Sequence, residues 1–549
     1  MLSISLISFI LAVPIFSNRI PATVFSRLTS IILMFSAVLT WNSVYYYPLS
    51  NGGVTLFSGL FHVSTITLGF QLLLLVIGSL LLFGWGPVAK NIQNTNIVPA
   101  NSAIERSVQI NSNYIVTNTI GEYSLIVFFS ILGGCLLISS YNFVSMYMAI
   151  ELQSFAAYIL CTLYRHSQSA TSAGLKYFLL GSLASGIIVL GTAVIYAGTG
   201  ITNYEDLAAL ISVGNFDQGG YSYVTGCVAG GLLLIGIGYI FKVGAAPLYN
   251  WSPDVYDGVP TIITSWVSTV PKIGIFVFLL NLSFIATGYD LSWSQSLQES
   301  VGNLYTVYAQ PFQTLLLVSS TLSLIIGGIV GLSQVRIKRL LTFSTINHIG
   351  FLLLALAVST ESSIEAFVFY LTQYTMTNVN TFMTLLAFGY ASKGIITSKK
   401  NMSVREFGLL DDLKGQFYQN PLLAISFAVS LFSMAGIPPL VGFFAKQMVL
   451  TSVSYNYSYI AVIGIVTSVI SASYYLKIVQ LMFFNKTSDD THVPTTVMEK
   501  EASSDDTPTI TTMHSSVIAV ITMIISLYLF DPSILLNSCH LLSLSLFKV

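Results

Sequence analysis

Four ionisable side chains stand inside apolar runs that would otherwise bury nothing but hydrocarbon. Glu151 sits in VSMYMAIELQSFAAYIL, Lys242 in IGYIFKVGAAPLYNWSPDVYDGVP, Lys272 directly after Pro271, and Lys446 in SMAGIPPLVGFFAKQMVL. A charge at the centre of a membrane span costs roughly 2.5–3.5 kcal/mol on insertion scales, so such groups face a bundle interior or a water-filled cavity. Burial disfavours the charged form of a lysine and a nearby carboxylate favours it, so a buried lysine beside an acid can take up and release a proton. The chemistry these types suggest is proton transfer: Glu151 paired with Lys242, Lys272 receiving the proton, and Lys446 passing it toward an exit. Ser, Thr, Tyr and water would fill the gaps. His348, in TFSTINHIGFLLLAL, offers an intermediate station because imidazole titrates near neutrality. The plainer alternatives are a structural ion pair or a snorkelling chain for each lone charge, and a satisfied hydrogen-bond donor for the histidine.

The elements that must hold these groups carry a second signal. Pro247 follows Lys242, and Pro438 and Pro439 precede Lys446. Each proline removes a backbone donor and frees carbonyls, which inside a bilayer must find neighbours or water. Broken helices at corresponding places in two halves of a chain often mark ion paths. Laying Gly244-Ala-Ala-Pro-Leu on Gly436-Ile-Pro-Pro-Leu gives an offset of 192 residues and pairs the seventh candidate span with the twelfth. Five spans from about 122 to 285 then map onto five from about 313 to 485. Five is odd, so the second copy enters from the opposite side as an inverted repeat. The charges do not superpose: Lys242 falls opposite Met434, and Lys446 opposite Asp254.

Composition sets the solvent. Charged residues form 8% of the 549 and hydrophobic ones 54%, with a mean hydropathy of +0.78; a soluble domain carries about 25% charged residues. Runs such as QLLLLVIGSLLLFGW do not alternate, which predicts spanning helices rather than a barrel. The expected fold is an all-α polytopic membrane protein with about fourteen spans and two broken helices, the seventh and twelfth. Its expected segments are 1–120 (three helices and a loop), 121–286 (first five-helix repeat), 311–485 (second, inverted repeat) and 486–549 (polar loop and last helix). MLSISLISFILAVPIF has no basic residue ahead of its apolar run, so it is expected to be a retained first helix.

Basic residues test the count. Sixteen of the 21 Lys and Arg fall in alternate loops: Arg19 and Arg27; Lys90 and Arg106; Arg165 and Lys176; Arg336, Lys338 and Arg339; five from Lys393 to Lys414; Lys486 and Lys500. The intervening loops hold none, as the positive-inside rule expects, and an even number of spans puts both termini on the low-basic side. Lys477 lies near a helix end, where snorkelling to the interface is expected. Cys135, Cys161, Cys227 and Cys539 are far apart, and neither they nor the six histidines have metal-ligand spacing. No basic run suggests nucleic acid, and any redox chemistry would have to occur elsewhere.

With Lys242 in APLYNWSPDVYDGVP, the Pro271-Lys272 step and GIPPLVGFFAK, the chain resembles the subunit 2 family of mitochondrial NADH:ubiquinone oxidoreductase, respiratory complex I, over roughly residues 120–485. That family is similar in turn to subunits of cation/proton antiporters. The resemblance implies two inverted five-helix repeats and carries the family's key positions onto Glu151, Lys242, Lys272 and Lys446. The three helices before residue 120 resemble the longer, non-animal form, and the Tyr, Phe and Ser content resembles fungal members. It further implies no cofactor in this chain, with NADH, FMN, iron-sulfur clusters and ubiquinone handled by partner subunits. The expected partners are other membrane-arm subunits, including further antiporter-like ones, and lipids. The expected location is the mitochondrial inner membrane, with basic loops in the matrix and both termini toward the intermembrane space. Two competing classes are a self-contained cation/proton antiporter, which would need several carboxylate or carbonyl ligands, and a structural membrane subunit whose charges are relics.

Overall fold

A computed structural model describes residues 1–16, 20, 22–46, 53–83, 120–164, 167–213, 222–287, 305–391, 407–484 and 511–547. Much of the expected loop sequence, including Lys90, Arg106, Arg165, Lys486 and Lys500, lies outside the described residues. Helices run α1 Leu2–Phe16, α2 Ala22–Tyr46, α3 Thr65–Phe83, α4 Ile120–Ser139, α5 Phe143–Thr162, α6 Gln168–Thr199, α7 Tyr204–Val213, α8 Ser222–Val243, α9 Trp251–Gly258 and α10 Thr261–Thr287. They continue as α11 Tyr305–Leu332, α12 Ile337–Val358, α13 Glu361–Ala391, α14 Gln416–Gln419, α15 Pro421–Ala435, α16 Val441–Ser454, α17 Ser458–Phe484, α18 Thr512–Leu527 and α19 Ser533–Phe547.

Among the described residues, ten helices are long and apolar enough to cross a membrane. The protein is therefore a mainly helical, polytopic membrane protein. Among the described residues, the departure from an all-α fold is one antiparallel hairpin, β1 Val54–Leu56 with β2 Phe61–Val63, turned by Phe57, Ser58 and Gly59 at positive φ. Helix α7, short and acidic in its first turn, lies between the longer α6 and α8.

Position within the bundle follows from composition. Helix α12 is fully buried along its apolar window and α10 nearly so, whereas two-thirds of the corresponding windows of α6 and α17 stay uncovered. A helix apolar on all sides is held inside, and one that packs along a single stripe lies at the rim. Lys272 on α10 and His348 on α12 are thus on the most enclosed helices. Lys477 points outward from the peripheral α17.

Two helices stop inside the bundle in the same way. Helix α8 ends at Val243 and α15 at Ala435, each followed by a glycine in the left-handed region, Gly244 at φ +81° and Gly436 at φ +84°. That conformation costs an L-residue about 1–2 kcal/mol and glycine almost nothing, so glycine turns the chain and lets its N–H cap the last turn. Gly244 N donates to the Ile240 and Phe241 carbonyls and Gly436 N to those of Phe432 and Ser433. Pro247 lies in the connection to α9, and Pro438 and Pro439 in the connection to α16.

Candidate functional site

Helix α5 begins at Asn142, whose side chain accepts from Val144 N at 2.9 Å. It carries Glu151 and Ser154 on one face, three residues apart. Both meet Lys242 in the last turn of α8: the ammonium lies 3.3 Å from Glu151 Oε1 and 3.5 Å from Ser154 Oγ. The side chains are only 6% (Lys242) and 15% (Glu151) exposed. The C-terminal end of a helix carries partial negative charge, so α8 itself favours a cation at this place.

Lys272 follows Pro271 within α10 and is 2% exposed. Its ammonium lies 5.5 Å from the centre of the Tyr256 ring, inside cation–π range. One turn earlier on α10, Ser268 joins α13: its carbonyl accepts from Tyr374 OH at 3.3 Å and its hydroxyl from Asn378 Nδ2 at 3.3 Å. Asn378 also donates to Tyr374 OH at 3.4 Å. Tyr374 then leads to α12, its ring 5.7 Å from that of His348.

His348 is fully enclosed. Its Nδ1 is 2.7 Å from Tyr370 OH and its Nε2 is 3.5 Å from Tyr475 OH, which in turn contacts Ser344 Oγ. Lys446, on α16, donates to the Ala435 carbonyl at 2.9 Å and lies 5.7 Å from the Phe351 ring. Ala435 is the last residue of α15, so its carbonyl has lost its intrahelical donor and the lysine replaces it. A side chain at Gly436 would bring a Cβ within 3.0 Å of Lys446 Cδ. At the first break, Trp251 Nε1 supplies the cap instead, donating to the Phe241 carbonyl at 2.9 Å.

Glu151 and Lys242 are therefore in direct contact; Lys272 lies over the Tyr256 ring, Tyr374, Tyr370 and Tyr475 surround His348, and Lys446 lies over the Phe351 ring, which stacks on Tyr370. Among the described residues, no ion pair includes Lys272 or Lys446. Buried amines, hydroxyls and an imidazole of this kind can take up and release protons. Sequence reasoning named none of these tyrosines. Ser154 was available from its position one turn beyond Glu151, and Ser268 from its place one turn before Lys272; 30 tyrosines scattered along the chain offered no such contrast.

A charged cluster joins α9 to α6 and to the start of α12. Asp254 pairs with Lys176 at 3.1 Å and Arg339 at 3.3 Å, and Asp257 with Arg336 at 2.6 Å and Arg339 at 3.1 Å. Lys338 Nζ donates to the Val259 carbonyl at 2.8 Å. Of these basic residues, all expected in loops, Lys176 lies in the third turn of α6, Arg336 is the N-cap of α12, and Lys338 and Arg339 lie in its first turn.

Long apolar helices surrounding titratable groups held away from lipid define a polytopic membrane protein of the ion-translocating class. Residues 140–471 match the family described as NADH:quinone oxidoreductase/Mrp antiporter, TM, and the chain belongs to that family. NADH-ubiquinone oxidoreductase chain 2 of Rhizopus oryzae is 44% identical over the whole of both chains. NADH-quinone oxidoreductase subunit N of Hydrogenovibrio crunogenus is 36% identical, covering 68% of this chain and 70% of its own. Among solved structures, a chain of Thermus thermophilus respiratory complex I with bound aureothin aligns over 97% of this chain and 98% of its own at a TM-score of 0.66 and 24% identity. A chain of the Mrp complex from Dietzia sp. aligns over 100% of this chain and 96% of its own at a TM-score of 0.72 and 18% identity. These two likenesses concern the fold.

Proposed function

We propose that this chain is an antiporter-like membrane-arm subunit of NADH:ubiquinone oxidoreductase in the mitochondrial inner membrane, where it translocates protons in response to electron transfer in other subunits. The observation that carries this reading is the ion pair of Lys242 with Glu151, continued by buried Lys272, His348 and Lys446. The full-length similarity to the Rhizopus chain supports the assignment to that complex. NADH, FMN, iron-sulfur clusters and ubiquinone belong to partner subunits, and further antiporter-like subunits flank this one.

The working architecture has fourteen crossings, both termini on the intermembrane-space side, and two inverted five-helix repeats at 121–286 and 311–485, flanked by 1–120 and 486–549. The matching glycine caps at Gly244 and Gly436 support the repeat. So does a second correspondence: Gly133 packs against the backbone of Gln153, and Gly327 against that of Asn347, each 194 residues further along. Protons enter the Glu151–Lys242 pair, move to Lys272, cross by Tyr374 and His348, and leave through Lys446.

Lys242→Met in the assembled complex tests the proposal. Redox-linked proton uptake into vesicles should fall sharply while the complex still assembles; unchanged uptake would remove the pumping role. Sodium-driven flux by the isolated chain would favour a self-contained antiporter instead.

A further inference from the structure

Gln153 lies two residues beyond Glu151 and is 1% exposed. Its carboxamide nitrogen donates to the Pro271 carbonyl at 3.4 Å, next to Lys272 in the chain. Its Oε1 is buried with no hydrogen-bond partner. A buried acceptor left unpaired is costly, and an ordered water is a common remedy where space and polar neighbours allow it. Both are present. A cavity of about 20 Å³, measured as space open to a water centre, is bounded by Gln153, Ser154, Tyr158, Gly181, Lys242 and Pro271. One water needs about 10–15 Å³ on that measure and two to four polar partners. The side chains of Lys242, Ser154, Tyr158 and Gln153 can supply four.

Helix α4 approaches Gln153 closely at two glycines. A Cβ on Gly133 would come within 2.7 Å of Gln153 N, and one on Gly134 within 3.2 Å of Gln153 Nε2. The hydrogen bond to the Pro271 carbonyl holds the nitrogen there, and the oxygen is left without a partner. Asn347, the counterpart in the second half and the neighbour of His348, also has a buried amide whose oxygen and nitrogen have no partner.

We propose that Gln153 is a positioning residue for the step from Lys242 to Lys272, its Oε1 fixing one water beside Lys242. This rests on the proton-translocating reading above. Once Lys272 has lost its own proton, the water takes a proton from the Lys242 ammonium and gives one of its own onward toward the Lys272 amine. Lys242 is left neutral, Lys272 becomes protonated, and the carboxamide only accepts a hydrogen bond throughout.

The test uses the assembled complex in vesicles carrying Gln153→Leu, Gln153→Asn or Lys242→Met, with redox-linked proton uptake measured in H2O and D2O. A high-resolution density map of the unmodified complex accompanies it. Gln153→Leu should assemble, slow proton uptake by roughly five- to tenfold, the scale of one lost hydrogen bond, and increase the solvent isotope effect. Gln153→Asn should recover part of the rate, and the map should hold a water within hydrogen-bond distance of Oε1. Normal uptake in Gln153→Leu alongside impaired Lys242→Met would overturn the role of Gln153 alone. Normal uptake in both would overturn the translocation reading. If the Leu variant fails to assemble, the map decides, and an empty cavity refutes the proposal.

Discussion

Neutralising Glu151 alone, Lys242 alone and both together separates an ion pair that merely holds helices from one that handles protons. At the observed 3.3 Å, with an effective dielectric constant near 20, the Coulomb attraction is about 5 kcal/mol before desolvation is subtracted. Removing Glu151 leaves the Lys242 charge buried beside Ser154, and removing Lys242 leaves the largely enclosed Glu151 without its counter-charge, changes that typically cost about 3–5 kcal/mol in a buried pair, whereas replacing both with neutral side chains is often neutral or stabilising. Glu151→Gln and Lys242→Met should each lower the temperature at which the subunit leaves the assembled complex, and the double variant should regain most of that loss. Redox-linked proton uptake should remain low in all three, because stability returns with the removal of charge but the proton site does not. A double variant that regains both stability and proton uptake would refute the reasoning and reduce the pair to a structural contact.

Lys446→Met loses a charge-assisted bond to Ala435 O worth about 1.5–3 kcal/mol but also a buried charge of similar cost, so assembly should survive while proton uptake falls. Gly436→Ala places a Cβ at positive φ and against Lys446, and should destabilise the complex by about 1–2 kcal/mol, read by thermal inactivation; Gly186→Ala, whose Cβ would meet no neighbouring atom, should not. Tyr374→Phe removes the hydroxyl that donates to Ser268 O, worth about 1 kcal/mol, and should slow proton uptake without loss of assembly. Arg339→Ala breaks an exposed pair to Asp254, at a cost of at most about 1 kcal/mol that high salt should remove, and a pair to the largely enclosed Asp257, whose loss salt should offset less.

What could be read without coordinates depended on contrast. A lysine among Phe, Ile and Gly is conspicuous, and glycine followed closely by proline announces a helix end, so Lys242, Lys446 and the stops at Gly244 and Gly436 could be picked out. The helical, membrane-spanning character followed from composition for the same reason. Tyr374 and Tyr475 could not be selected, because the helices contain many tyrosines and only packing decides which ones face His348. Gln153 was hidden by the stronger signal of Glu151, and its importance depends on an unpaired oxygen that no pattern reveals. Helix α7 was hidden in a polar stretch, since ten residues are too few for a membrane-length window. The hairpin at 54–63 escaped because two three-residue strands present almost no alternation.

The most direct measurement is proton translocation by vesicles holding the assembled complex with Lys272→Met, the central member of the row. Reduction of a hydrophilic acceptor that bypasses the membrane arm serves as the assembly control. The account predicts at least a tenfold fall in quinone-linked translocation with acceptor reduction retained. Translocation at the unmodified rate, with Lys272 gone and the control intact, would contradict it.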